Sequence, residues 1–229
     1  MSEDPANSGA LLIIGSKNYS SWSLRPWLFL RKVGFEFRER IIYFDDPDYQ
    51  MQIAAVSPSR RVPVAVDRGV QIWDSLAICE YAADTTGRGL PKDPKARAIA
   101  RAAAAEMHSG FQTLRNEYPM NVRARGRHVA LTPPLKADIE RIDQIWSVCR
   151  KDYGGAGGWM FGEFSIADAM FAPVFFRFQT YGAQLRPASQ AYLEHALADP
   201  VLREWQEASS QEGHPLPEAD RIGIPGQPV

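Results

Sequence analysis

At about Thr85 the chain changes character. The stretch over residues 85–94, "TTGRGLPKDP", is crowded with glycine, proline and charge, and every run that reads as a strand lies before it. A chain whose β content is confined to one end must fold as an α/β unit followed by an all-helical one. The expected organisation is an α/β unit over residues 10–84, a linker over 85–94, a helical unit over 95–210 and an irregular tail over 211–229.

Within the first unit, "ALLIIGS" (residues 10–16) is a short unbroken apolar run, which suits a strand buried on both faces. From Ser21, the residues Leu24, Trp27, Leu28 and Val33 fall at helical spacing, and Gly34 stands where a helix would end. "FEFRERIIYF" (35–44) reads as a second strand, and "PDYQMQIAAVSP" as a short helix closed by Pro58. Two β-rich runs in "VPVAVDRGVQIW" (62–73) flank Asp67-Arg68-Gly69, a hairpin signal. Asp74 then caps a helix carrying Leu76, Ile78, Cys79 and Tyr81. The order is βαβαββα, and four strands with helices on both faces make a thioredoxin-like α/β fold.

Beyond the linker, Asp93-Pro94 opens a helix rich in alanine. A second helical pattern carries Leu135, Ile139, Ile142, Ile145, Trp146 and Cys149 on one stripe. Ser165-x-x-Asp168 ahead of an apolar run is a capping-box pattern, which marks the start of a buried helix. After Gln211 the chain is too rich in proline and glycine for a regular element, and it is expected to wrap the surface or move freely.

Several functions are disfavoured. With 26 basic against 27 acidic residues the net charge is -1, so no global field recruits nucleic acid. The first ten residues lack the basic and apolar regions of an export signal, and the apolar runs are too short to span a bilayer. A cytoplasmic chain without membrane contact is expected. Cys79 and Cys149 form neither a C-x-x-C pair nor a cluster with the four histidines, which argues against a dithiol redox centre or a structural metal.

Three stretches in order, "NYSSWSLRPWL", "RRVPVAV" and "IWDSLAICEY", precede a helical half containing "FSIADAMFAPV". Together they resemble the cytosolic glutathione transferase superfamily, nearest to its zeta-like and related bacterial members. The resemblance implies glutathione as co-substrate and a homodimer. It implies that Val62-Pro63 is cis and that the Val62 main chain pairs with the cysteinyl part of glutathione. Ser75 and the first amides of its helix would take the γ-glutamyl carboxylate, with Asp74 near the ammonium. Arg60 or Arg61 would answer the glycyl carboxylate. An ordinary edge proline, a plain helix cap and solvated arginines are the alternatives. For the thiol, register with the family points to Asn18, while Ser20 and Ser21 supply hydroxyls at the start of the helix. The candidate order is Ser20, Asn18, Ser21 and then Tyr19, which is also placed in the glutathione site. A second substrate would lie between the halves against His108, Phe111 and Arg115, although Phe111 could be core and His108 an interdomain contact. Trp22 and Arg25 read as packing and interdomain contacts.

The implied function is conjugation of the glutathione thiolate to a small hydrophobic electrophile. One rival is a glutathione-dependent reductase or an isomerase of a small unsaturated diacid, of the maleylacetoacetate isomerase type. Another is a non-catalytic chaperone or regulatory partner on the same scaffold. Retention of the hydroxyl cluster and of Asp74-Ser75 favours an enzyme.

Overall fold

The computed structural model describes residues 9–224, so the reading of residues 1–8 and of the last five tail residues lies outside the described part. The first half runs β1 (Ala10–Gly15), α1 (Ser21–Val33), β2 (Phe37–Ile42), α2 (Tyr49–Val56), β3 (Val64–Asp67), β4 (Val70–Trp73) and α3 (Ser75–Thr86). The sheet order is β2-β1-β3-β4, with β1 parallel to β2 and the other pairs antiparallel. Alternation along β1 explains the layering. Leu12 and Ile14 join the core with Leu28 of α1 and Ile78 of α3, while Ile13 packs with Ile53 of α2 on the opposite face. The hairpin closes on Arg68 (φ 48°) and Gly69 (φ 77°), two left-handed residues as a tight two-residue turn requires. The second strand is shorter than the sequence predicts. Phe35 donates its N–H back to Leu30 O at 2.9 Å and so closes α1 beside the left-handed Gly34.

Seven helices make up the rest of the described chain: α4 (Pro94–Ser109), α5 (Gln112–Glu117), α6 (Pro133–Tyr153), α7 (Ile166–Tyr181), α8 (Pro187–Leu197), α9 (Pro200–Gln211) and α10 (Pro217–Arg221). The last is one helical turn where an irregular course is expected from composition. Proline at its first position costs no hydrogen bond there.

α7 is buried along almost its whole length, which is why its sequence is apolar all round and not amphipathic. It is the spine against which α1 and α4 pack. One hydrophobic core runs from Leu12 through α7 to Trp205. Asp168, wholly buried at the start of α7, accepts from Ser165 N–H and Oγ, Met160 N–H and Tyr192 Oη at 2.7–3.0 Å. Burial pushes its carboxyl up and these four donors pull it back. Cys79 and Cys149 are free and buried, and desolvation raises both thiols, Cys149 to about 11. No helix of the described residues is long and apolar enough to cross a membrane.

Candidate active site

Two turns of the sheet's edge half face each other. Val62 and Pro63, just ahead of β3, are joined by a cis peptide bond. Ser57 holds the approach, its hydroxyl donating to Arg61 O at 2.7 Å and accepting Arg61 N–H at 3.2 Å. After β4, Asp74 adopts φ 86° and ψ 129°, a backbone region that is costly for any residue but glycine. Its Oδ1 compensates by accepting Leu76 N–H at 2.8 Å and Ala77 N–H at 3.2 Å, which starts α3.

Between these turns lies a cavity of about 280 Å³. Ser59, Arg61, Val62, Pro63, Trp73, Asp74 and Ser75 line it from the α/β half, with Trp22 of α1 and His108 of α4 opposite. Ser75 is 1% exposed and its Oγ has no hydrogen-bond partner among the described residues. A buried hydroxyl left unpaired costs about 1–3 kcal/mol, which an acceptor on a ligand would recover. A guanidinium at one end, with a carboxylate, an unpaired hydroxyl and the positive end of α3 at the other, complements an extended zwitterionic peptide.

His108 bridges the halves: its Nε2 lies 3.2 Å from Asp74 Oδ2, and its ring meets Trp22 edge-on. Burial lowers its pKa, and the Asp74 carboxylate only partly opposes this. The Trp22 indole carries guanidinium groups near it, Arg25 at 4.2 Å and Arg115 at 4.8 Å from the ring centroid. Arg25 is fully buried with no hydrogen-bond partner among the described residues. Desolvation, with Arg115 and Arg177 nearby, holds its pKa well below the usual arginine range.

Of the three residues expected on the second-substrate side, His108 alone lines the cavity. Phe111 is core, packed on Phe171 from a left-handed backbone (φ 61°) between α4 and α5. Arg115 spends its guanidinium on the carbonyls of Met107 and Gly110, closing the end of α4. Arg61 reaches the cavity and Arg60 is not among its lining residues. Trp22, read as a packing and interdomain residue, meets His108 of the helical half and also walls the cavity.

The stretch over residues 18–21 is framed by the helical half. Asn18 is fully buried and each of its polar atoms has a partner. Its N–H donates to Glu212, its C=O accepts Val122 N–H, its Oδ1 accepts Arg123 N–H and its Nδ2 donates to Asn121 Oδ1. Tyr19 Oη donates to Asp220 at 2.8 Å and accepts from Leu216 N–H and Arg123 Nη2 at 3.0 Å. Ser20 holds the cap position of α1 yet makes no side-chain cap bond; its Oγ donates to Ser23 Oγ at 2.7 Å. The Ser21 hydroxyl has no partner among the described residues. None of the four is among the residues lining the cavity, but Ser21 directly precedes its wall residue Trp22 at the start of α1. Asn18 and Tyr19 differ because they pair with residues about 100–200 positions away, which no local pattern announces.

A thioredoxin-like sheet presenting a polar cavity to an all-helical half defines a class of two-domain proteins. Family models bear this out. The glutathione S-transferase N-terminal domain matches residues 19–85 and the C-terminal domain residues 97–208. The chain belongs to the glutathione S-transferase family. It is 28% identical to a rat (Rattus norvegicus) maleylacetoacetate isomerase over 73% of this chain and 77% of that one. A probable maleylacetoacetate isomerase of Caenorhabditis elegans is 36% identical over 42% of this chain, a match that spans only 45% of the relative's length. A glutathione transferase homologue from Burkholderia, solved with bound glutathione, superposes with a TM-score of 0.67 at 22% identity, covering 89% of this chain and all of that one. A Pseudomonas putida glutathione transferase with bound glutathione disulfide gives 0.66 at 18% identity, over 90% and 94% of the two chains.

Proposed function

We propose that the chain is a glutathione-dependent enzyme in which the glutathione thiolate adds to a small hydrophobic electrophile. The carrying observation is the unpaired, buried Ser75 hydroxyl beside Asp74 at the start of α3, across the cavity from Arg61 and the cis Val62-Pro63 turn. In this reading Ser75 and the α3 amides bind the γ-glutamyl carboxylate, Asp74 the ammonium, Val62 the cysteinyl main chain and Arg61 the glycyl carboxylate. His108 and Trp22 wall the side from which the electrophile enters. The relatives' names favour a second reading, isomerisation: the thiolate adds to an unsaturated diacid, the carbon–carbon bond rotates and the thiolate leaves unchanged. Calorimetry with glutathione, followed by aryl halide, epoxide, peroxide and maleyl substrates, separates the two. Glutathione is consumed in conjugation and recovered in isomerisation, and absence of glutathione heat would end both readings. A cytosolic setting belongs to the same proposal.

The thiol needs help to ionise. Its free pKa is about 8.5, and one unit corresponds to about 1.4 kcal/mol. A hydrogen bond donated to a charged group contributes about 1.5–3 kcal/mol, so one well-placed hydroxyl brings the thiol pKa down to about neutral or below. Ser21, unengaged, and Ser20, whose O–H turns to Ser23, are the candidates, with Asn18 and Tyr19 committed to the frame. Titration of bound thiolate absorbance in Ser20→Ala and Ser21→Ala is expected to show an apparent pKa higher by a unit or more in one of them. Two unmoved pKa values would remove hydroxyl assistance from the account.

The exposed Val70 and Trp73 on β4 and Ile99 on α4 fit the proposed homodimer. Sedimentation at micromolar concentration is expected to give twice the chain mass of 25.6 kDa; a monomer there would refute it.

A further inference from the structure

The tail after Gln211 returns to the front of α1. Glu212 is 8% exposed, and its two carboxylate oxygens accept successive main-chain N–H groups, Oε1 from Lys17 at 2.7 Å and Oε2 from Asn18 at 3.1 Å. Arg123 binds the Glu212 carbonyl at 2.6 Å and also reaches Tyr19 Oη. Further along, Asp220 takes hydrogen bonds from Tyr19 and from Asn121 Nδ2. Trp205 of α9 adds a bond from its indole N–H to Lys17 O at 3.0 Å. The main chain of residues 17–18 is therefore held by charge-assisted bonds from a segment about 195 residues later, and residues 20–21 follow directly from it.

We propose that the C-terminal strap over residues 212–220 is a positioning element for the hydroxyl cluster at the start of α1, with Glu212 as the positioning residue. The inference rests on the glutathione reading above. Glu212 touches neither the cavity nor any group proposed to touch the ligand's ends, which lie on β3, β4 and α3. It acts through the main chain of Lys17 and Asn18, the segment that sets where Ser20 and Ser21 stand. The strap thus governs the thiol's surroundings and leaves the peptide-binding wall of Val62, Asp74 and Ser75 alone.

The test compares Glu212→Gln and Glu212→Ala with the native protein, using glutathione and S-methylglutathione as ligands. Glutamine keeps one acceptor oxygen but turns an N–H against the other main-chain donor, so it should sit between native and alanine. Affinity for S-methylglutathione, which has no thiol to ionise, is expected to stay within about threefold of native in both variants. The apparent pKa of bound glutathione thiol should rise by about one unit in Glu212→Ala and by less in Glu212→Gln, a drop of up to tenfold in thiolate at neutral pH. A native protein that binds neither ligand overturns the glutathione reading and this proposal with it. Native binding with unmoved thiol pKa in both variants overturns the proposal alone. An equal loss of both affinities also overturns it, since that is what general loosening of the fold would produce.

Discussion

Asp168→Ala is expected to remove about 4 kcal/mol or more of the fold's stability, the largest loss of any single substitution considered. The substitution strips a wholly buried acceptor from four donors, the N–H groups of Met160 and Ser165 and the hydroxyls of Ser165 and Tyr192. Each buried donor left unpaired costs about 1–3 kcal/mol, so even with relaxation the loss should reach about 4 kcal/mol or more. That approaches the whole stability of a typical domain, about 5–15 kcal/mol. The helix involved is also the worst place for such damage, because α7 is the spine for both α1 and α4. Asp168→Asn should be milder, since one oxygen survives while the amide opposes two donors. Urea unfolding followed by tryptophan fluorescence measures both. A midpoint for Asp168→Ala that implies less than about 0.5 kcal/mol of loss would show that these bonds add little net stability.

Ser75→Ala is expected to weaken glutathione binding by about 10- to 150-fold, the equivalent of about 1.5–3 kcal/mol for a hydrogen bond to a charged group. The sign of its effect on stability is the more telling part. The native hydroxyl is buried and unpaired, so removing it relieves a cost of the unliganded fold, and thermal stability without glutathione should stay level or rise. Asp74 supplies the α3 cap and is untouched by the change. A variant that loses affinity and stability together would make Ser75 a structural residue. One that keeps its affinity would take Ser75 out of the ligand site.

Local chemistry made much of the fold legible. The hairpin followed from Asp67-Arg68-Gly69, the α3 cap from Asp74 and the buried α7 start from Ser165 and Asp168, each a signal contained within a few residues. The order of elements in the first half could be read for the same reason. The second strand came out too long because Phe35, although β-prone, sits at the closing turn of α1. In the cavity, Val62, Asp74 and Ser75 were placed by the resemblance to the family; their local pattern read equally as an edge proline and a plain helix cap. Asn18 was placed at the thiol by register with the family and Tyr19 by its position beside it, and a polar cluster before a helix reads the same whether it faces a cavity or another segment. Their partners in the fold, Asn121, Arg123, Glu212 and Asp220, carry no periodicity, spacing or cap pattern that points back to residue 18. Arg115 was likewise indistinguishable from a substrate-binding arginine until its guanidinium was seen closing α4.

The clasp on Asn18 also sets an order in time. During synthesis the α/β half emerges first, with its strands and turn signals complete by residue 86. Its first loop nevertheless lacks Val122 and Arg123 until the middle of the chain has emerged, and lacks Glu212 until the segment after α9 follows. A nascent chain can thus present the sheet and the turns at Val62 and Asp74 while the loop ahead of α1 is still unset. Under the proposed function, the thiol's surroundings would be the last part of the site to take shape.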